Sequence, residues 1–158
     1  MVFGNNMSKN RCKEIERWIV KNANVARKKR GISPLRTNTG LMRVARNHSR
    51  NMARNKRLWH GNGVYIARHS LSIRSLWDLL KCFFYSGMSG ENVGLMFTGN
   101  VRSLGKIKSN KDIAHAQHRI WMRSSGHRKN MMNPNFKLIG VGVVKRGKGY
   151  YCTQLFYG

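Results

Sequence analysis

Acidic residues are scarce in this chain. It contains 5 Asp plus Glu against 31 Lys plus Arg in 158 residues, which gives a formal net charge of +26 at pH 7. So few carboxylates cannot neutralise the basic side chains, and the resulting repulsion disfavours a compact state. We therefore expect polyanions or bound anions to stabilise the protein. Nucleic acid, an anionic membrane and an acidic polymer or protein surface all fit this charge, and composition does not choose among them.

Cysteine is also rare. The three residues Cys12, Cys82 and Cys152 are odd in number, widely separated and free of any Cys-x-x-Cys spacing. Small secreted scaffolds that depend on disulfides have more cysteines, usually in even number. The pattern favours buried free thiols in a reducing environment, although one disulfide between two of the three remains open.

Long hydrophobic runs are missing as well. No stretch approaches the ~18 consecutive apolar residues of a membrane-spanning helix, and the polar first ten residues show no signal peptide. We therefore predict no transmembrane segment, and a location inside the cell or within a virus or nucleoprotein particle. Secretion is the alternative if the sequence is a mature or trimmed form.

The residues that are present predict one folded domain. Hydrophobic residues make up 41% of the chain, and a chain of this size buries about two thirds of its unfolded surface. Apolar periodicity predicts helices over residues 14–29, 41–58 and 72–85, and a fourth from a cap at Asn110 or Asp112 to near Ser124. Strands are predicted at 93–97, 138–145 and 150–156, the last two forming a hairpin, with a loop over 99–110. These elements suggest an α+β fold in which helices flank an antiparallel sheet.

The predicted second helix has an arginine-rich face. At about 100° per residue, its arginines fall within a sector of roughly 80°, opposite an apolar face that includes His48. No zinc-finger, basic-zipper or RNP motif accompanies them, so any nucleic-acid contact would be to the backbone. A solvated helix face and a polyanion-binding stripe both remain open. The stripe consists of Arg43, Arg46, Arg50, Arg54 and Arg57.

Two short motifs predict a polar cleft. Glu91, one of the few acidic residues, lies in a Gly-Glu-Asn run, and His127 follows a glycine after the fourth helix. A carboxylate and an imidazole in such settings are typical of residues that line a functional site.

These motifs resemble the CAP superfamily (cysteine-rich secretory, antigen 5 and pathogenesis-related 1 proteins, also called the SCP domain), and its prokaryotic branch most of all. The resemblance covers residues 13–158 and leaves residues 1–12 as an N-terminal extension. It implies an α-β-α sandwich with an antiparallel sheet flanked by helices. The motifs that support it are 24–35, 45–60, 75–80, Gly90-Glu91-Asn92, the run from Trp121 to Asn130, and the closing hairpin.

The resemblance also implies a cleft that can hold a divalent cation. By motif, His60, Glu91 and His127 would be its ligands, with Asn92 adjacent, while Ser124 stands where the animal and plant pattern has a fourth, acidic ligand. We expect no required cofactor and at most weak binding of zinc or another divalent cation. A metal-free cluster, in which Glu91 is hydrogen-bonded to the two histidines, is the alternative. His69 is the fallback for His60.

The remaining histidines offer weaker candidates. His115 and His118 are three residues apart on the fourth helix and can share a ligand, although surface or packing roles are commoner for such pairs. His48, on the apolar face of the second helix, is predicted to be a hydrogen-bonded core histidine.

Three functions follow from the sequence. The first is a non-enzymatic binding or structural protein that associates with polyanions or acidic partners, within a larger assembly such as a virion. The second is a secreted CAP protein that binds lipid, the less favoured ligand, or cell wall. The third is a metal-dependent hydrolase with Glu91 and His127 as candidate catalytic residues.

Overall fold

The structure is a computed structural model that describes residues 3–61, 89–101 and 103–158. The predicted helix at 72–85, Cys82 and His69 lie outside these residues. The helices are α1 (Phe3–Lys28), α2 (Thr39–Asn55), α3 (Asn110–Arg123) and α4 (Ser125–Met132). The strands are β1 (Arg36–Thr37), β2 (Ser89–Phe97), β3 (Gly99–Val101), β4 (Gly105–Ile107), β5 (Leu138–Arg146) and β6 (Gly149–Tyr157).

A four-stranded sheet of order β1-β5-β6-β2 forms the centre of the molecule. The hairpin of β5 and β6 is confirmed, and it turns at Gly147, whose φ of 56° suits glycine. Strand β2 pairs antiparallel with β6 along its whole length and begins four residues before the predicted strand, so Glu91 lies inside the sheet. The two-residue strand β1 was not predicted, and its parallel pairing with β5 makes that edge of the sheet mixed.

Helices cover both faces of this sheet, which confirms the α-β-α sandwich. Helices α1 and α3 pack on one face, where Ile15, Trp121 and Val141 belong to the main core. Helix α2 packs on the other face, where Leu41 and Ala45 contact Leu155. None of the helices among the described residues is long and apolar enough to cross a membrane.

The first helix is longer than predicted. It begins at Phe3 rather than at residue 14. Buried Cys12 lies one turn before buried Ile15 and two turns before buried Ile19, and it extends the same apolar stripe. No proline interrupts the segment. The domain boundary between residues 12 and 13 stays a prediction. Cys12 and Cys152 are both buried free thiols, as expected for these two, and burial raises the pKa of each.

Other element ends also differ from prediction. Helix α2 starts after an Asn38 cap, whose side chain accepts the Leu41 N–H at 2.9 Å, and ends at Asn55. Helix α3 is capped by Ser109 rather than by Asn110 or Asp112, and Asp112 instead closes a capping box with it. The predicted loop at 99–110 contains the paired strands β3 and β4. His127, which was expected to follow the fourth predicted helix, lies in the first turn of a separate helix, α4.

Candidate functional site

Glu91 lies at the centre of the predicted cleft. Its carboxylate is only 11% exposed, and Oε1 lies 2.9 Å from Nδ1 of His60, whose ring is 62% exposed. The backbone N–H of Gly61 donates to the same oxygen at 3.1 Å. The structure therefore brings together His60, from the segment after α2, and Glu91, from strand β2.

His127 stands on the other side of His60. Their ring centroids are 6.2 Å apart, with an interplanar angle of 34°. Its helix α4 is fixed to strand β2 by two asparagines. The Asn92 side chain donates to the His127 carbonyl at 3.1 Å, and that of Asn130 donates to the Glu91 carbonyl and to Asn92 Oδ1, each at 3.0 Å. The predicted cleft-adjacent Asn92 is thus a buried link that positions His127.

His48 also belongs to the cluster around Glu91, although the sequence predicted for it only a role in the core. Its Nε2 lies 3.0 Å from the Trp59 carbonyl, as predicted for a hydrogen-bonded core histidine, and its ring meets that of Trp59 edge-on. The same Nε2 is 3.8 Å from Glu91 Oε2. Its position on the apolar face of α2 was visible in the sequence, but its approach to Glu91 depends on how α2 packs against the sheet.

Burial sets the charge state of this cluster. It raises the pKa of Glu91, an effect that the hydrogen bond from His60 partly offsets. Burial also lowers the pKa of His48 and of His127, and for His127 the neighbouring His60 adds to the effect. The site therefore favours neutral imidazoles at His48 and His127, and neutral imidazole nitrogens can accept hydrogen bonds or coordinate a cation.

Two buried polar atoms in the cluster lack a hydrogen-bond partner among the described residues. They are Oε2 of Glu91 and Nδ1 of His127. An unsatisfied buried polar atom costs about 1–3 kcal/mol, so such atoms are rare in folded proteins. Two of them beside an exposed imidazole mark a place where a polar ligand, an ion or water would be stabilised.

The donor set suits a cation only in part. Two imidazoles that share one zinc ion at about 2.0–2.1 Å have ring centres roughly 5–6 Å apart, close to the spacing of His60 and His127. However, the described part of the chain contains no group of three or more His, Cys, Asp or Glu side chains placed to hold a metal. Glu91 uses Oε1 to orient His60, and Ser124, at the fourth position, is the cap residue of α4. The arrangement does not fit a resident, fully coordinated metal, and weak coordination by the two imidazoles stays a prediction.

The five arginines of the predicted stripe do not form one exposed face of α2. Arg43, Arg50 and Arg54 are exposed on α2. Arg46 instead turns to buried Glu16, with its Nη2 2.6 Å from Oε2. Arg57 lies beyond the end of the helix, because Lys56 takes a left-handed conformation with φ of 51°.

The His115 and His118 pair is separate from the cleft. The ring of His115 packs at 6.1 Å from that of Trp18. His118 Nδ1 is buried without a partner among the described residues, and burial lowers its pKa to about 4.

Comparison with known proteins identifies the family. Residues 20–156 match CAP, the cysteine-rich secretory protein family. The chain is 33% identical over 144 residues to YkwD of Bacillus subtilis (strain 168), with 90% of this chain and 47% of YkwD covered. It therefore spans about half the length of that relative.

Two solved structures share the fold. One is an extracellular protein containing an SCP domain from Bacillus anthracis str. Ames, with a TM-score of 0.61 and 24% identity over 90% of this chain and 39% of that one. The other is an outer surface protein from Borrelia burgdorferi, with a TM-score of 0.64 and 16% identity over 92% of each chain. With the CAP match spanning most of its length and the α-β-α sandwich in place, the chain belongs to the cysteine-rich secretory protein (CAP) family.

Proposed function

We propose that this chain is an extracellular CAP domain that binds a polar ligand in the cleft of His60, Glu91 and His127, rather than an enzyme. The proposal is supported by two buried atoms, Glu91 Oε2 and His127 Nδ1, that have no hydrogen-bond partner within the described parts of the chain and lie beside the exposed ring of His60. A ligand with a hydrogen-bond donor for the carboxylate, or a cation, would satisfy them.

The cleft offers little to a hydrolase. A nucleophilic serine must lie within hydrogen-bonding distance of its base. Ser124 and Ser125 lie three and two residues before His127, yet neither hydroxyl hydrogen-bonds to His127 or Glu91 within the described parts of the chain. Since the coordination is also incomplete, binding is better supported than a metal-dependent hydrolysis.

The extracellular location is supported by the relatives. The Bacillus anthracis protein is described as extracellular and the Borrelia protein as an outer surface protein. These descriptions favour secretion over the intracellular or virion location that the sequence suggested. The ligand class we favour is therefore one found outside cells, such as a cell-wall component.

A zinc titration tests the cleft. We expect Zn²⁺ to bind weakly to the two imidazoles and to raise the melting temperature of the parent protein, because a ligand that binds only the folded state stabilises it. The His127→Ala variant should lose this shift, whereas His115→Ala, which removes an exposed histidine from α3, should keep it. Differential scanning fluorimetry of all three proteins with added Zn²⁺ makes the comparison. An equal shift in the His127→Ala variant would show that the cleft does not hold the cation.

A second candidate function is association with polyanions through the basic surface. It is supported by the net charge of +26 and by the exposed Arg43, Arg50 and Arg54. Arginine forks suit phosphate groups, and such binding would be strongly salt-dependent.

A further inference from the structure

An open groove lies beside strand β5, away from the cleft. Strand β1 pairs with only Leu138 and Ile139, so from Gly140 onward β5 has no strand neighbour on that side among the described residues. Helices α1 and α2 flank this edge, and the space between them forms a groove of about 310 Å³.

Three different elements contribute cations to the groove. Lys9 and Lys13 come from α1, Arg46 and Arg50 from α2, and Lys145 from β5. Glu16 is the single carboxylate among the described residues that line it, so the lining carries a net charge of +4.

Glu16 is not available to neutralise the other cations. It is 1% exposed, and its carboxylate is held by Arg46, with Nε 2.9 Å from Oε1 and Nη2 2.6 Å from Oε2. Oε1 also accepts the N–H of Val143 at 3.1 Å, which covers part of the open strand edge. Glu16 and Arg46 therefore neutralise each other at one side of the groove. The other four cations that line the groove have no carboxylate partner among the described residues.

The floor of the groove strengthens its attraction for anions. It is formed by the buried Cys12 and Val143 and by the partly buried Val144. An apolar floor lowers the local dielectric response, so the field of the surrounding cations is screened less than on an open surface. The same cations repel each other, and an anion that bridges them would remove that repulsion.

We propose that this basic groove binds an extended anion that carries several phosphate charges, such as a polyphosphate chain. Because the lining cations come from α1, α2 and β5, an anion with several consecutive phosphates can contact more of them than a single phosphate can. Arg50 donates through Nη1 to Asn47 Oδ1 and offers its remaining N–H groups to a phosphate, while the lysines act as point charges along the chain. The proposal rests on the second candidate function and narrows it to one site, and it is independent of the cleft.

The test uses tripolyphosphate as the probe and isothermal titration calorimetry on the full chain. The groove variant is the double substitution Lys13→Gln with Lys145→Gln. The matched control is Lys28→Gln with Lys106→Gln, which removes the same charge from exposed positions outside the groove. Lys28 is 15 residues from Lys13 on α1, which is about 22 Å along the helix.

We expect the groove variant to bind tripolyphosphate at least about tenfold more weakly than the parent. The affinity of the control variant should fall by less than about threefold. Orthophosphate should bind far more weakly than tripolyphosphate to the parent. The His127→Ala variant should bind tripolyphosphate like the parent, which separates this site from the cleft.

If the two double variants lost the same amount of affinity for tripolyphosphate, the groove assignment would be overturned. General association of the basic surface with polyanions would still stand. Orthophosphate binding as tight as that of tripolyphosphate would overturn the requirement for an extended anion. Circular dichroism checks that both double variants fold, and the single variant Lys13→Gln, with an expected smaller loss, replaces the groove double variant if that one does not.

Discussion

His118 couples the stability of the protein to pH at the scale of one residue. Burial, together with the nearby His115 and Arg30, lowers its pKa from the usual 6.5 to about 4, and its Nδ1 has no partner among the described residues. The folded state therefore resists protonation that the unfolded state accepts. The contribution of His118 to the free energy of unfolding is therefore fully present above about pH 6.5. It is lost as the pH falls towards 4, because the unfolded state then binds a proton that the folded state does not.

We predict that the His118→Gln variant loses less stability on acidification than the parent does. Between neutral pH and about pH 4.5, the difference should be on the order of 2 kcal/mol in the free energy of unfolding. Urea unfolding at both pH values measures it. Arg119→Gln, an exposed substitution on the same helix that does not contribute to the lowered pKa of His118, is the control and should follow the parent. A His118→Gln variant as acid-sensitive as the parent would refute the assignment.

Arg27 shows how a single residue can hold distant segments together. It is fully buried, and its guanidinium donates to four backbone carbonyls, those of Ser33, Met131, Asn133 and Phe136, at 2.7 to 3.1 Å. These bonds tie the end of α1 to the segment that joins α4 to β5. Since α4 carries His127, Arg27 stabilises the side of the cleft that α4 forms.

At the scale of elements, two glycines allow α2 to pack directly on strand β5. A Cβ at Gly140 would lie 2.2 Å from the backbone carbonyl carbon of Leu41, and one at Gly142 would lie 2.2 Å from that of Ala45. Real Cβ atoms do not approach backbone so closely, and a backbone cannot rotate away as a side chain can. The close contact also brings Ser49 Oγ within 2.9 Å of the Gly142 carbonyl and 2.8 Å of Thr153 Oγ1.

We predict that Gly142→Ala destabilises the protein by about 2–4 kcal/mol, because the added methyl group forces α2 off the sheet. His48, on α2, should move with the helix and leave Glu91. The measurement is urea unfolding of the variant against the parent. Gly126→Ala is the matched control, since a Cβ there meets nothing within 4 Å, and it should change stability by less than about 1 kcal/mol. Similar losses in both variants would contradict this account of the packing.

At the scale of the whole molecule, the charge of +26 governs association. Phosphate contacts made by Lys and Arg release counterions, so affinity for a polyanion falls as salt rises. Exposed arginines such as Arg54 are available for such contacts on α2.

We predict that affinity for random-sequence double-stranded DNA falls steeply between about 50 and 200 mM salt. The exposed variant Arg54→Gln should reduce the slope of log affinity against log salt by about 1. Fluorescence anisotropy of labelled DNA measures both effects. His60→Ala, in the cleft, should leave the slope unchanged, and an affinity independent of salt would exclude electrostatic association.

Local patterns were sufficient to predict much of the architecture and one part of the site. The apolar face of α2, the hairpin of β5 and β6, and the motifs around His60, Glu91 and His127 all depend on neighbours in sequence. Patterns of this kind carry the spacing of helices and strands. They misplaced the ends of α1 and α2, because caps and left-handed residues such as Lys56 are weak signals in the sequence.

What this sequence determined by itself is the class of fold, its family resemblance and its excess of positive charge. The tertiary structure decided which charges are available and which are paired, because pairing depends on distance between elements. Arg46 was predicted as part of an exposed stripe, yet it meets Glu16, 30 residues away in the chain, at the edge of β5. His48 was predicted as a core residue, and only the packing of α2 on the sheet brings it to Glu91.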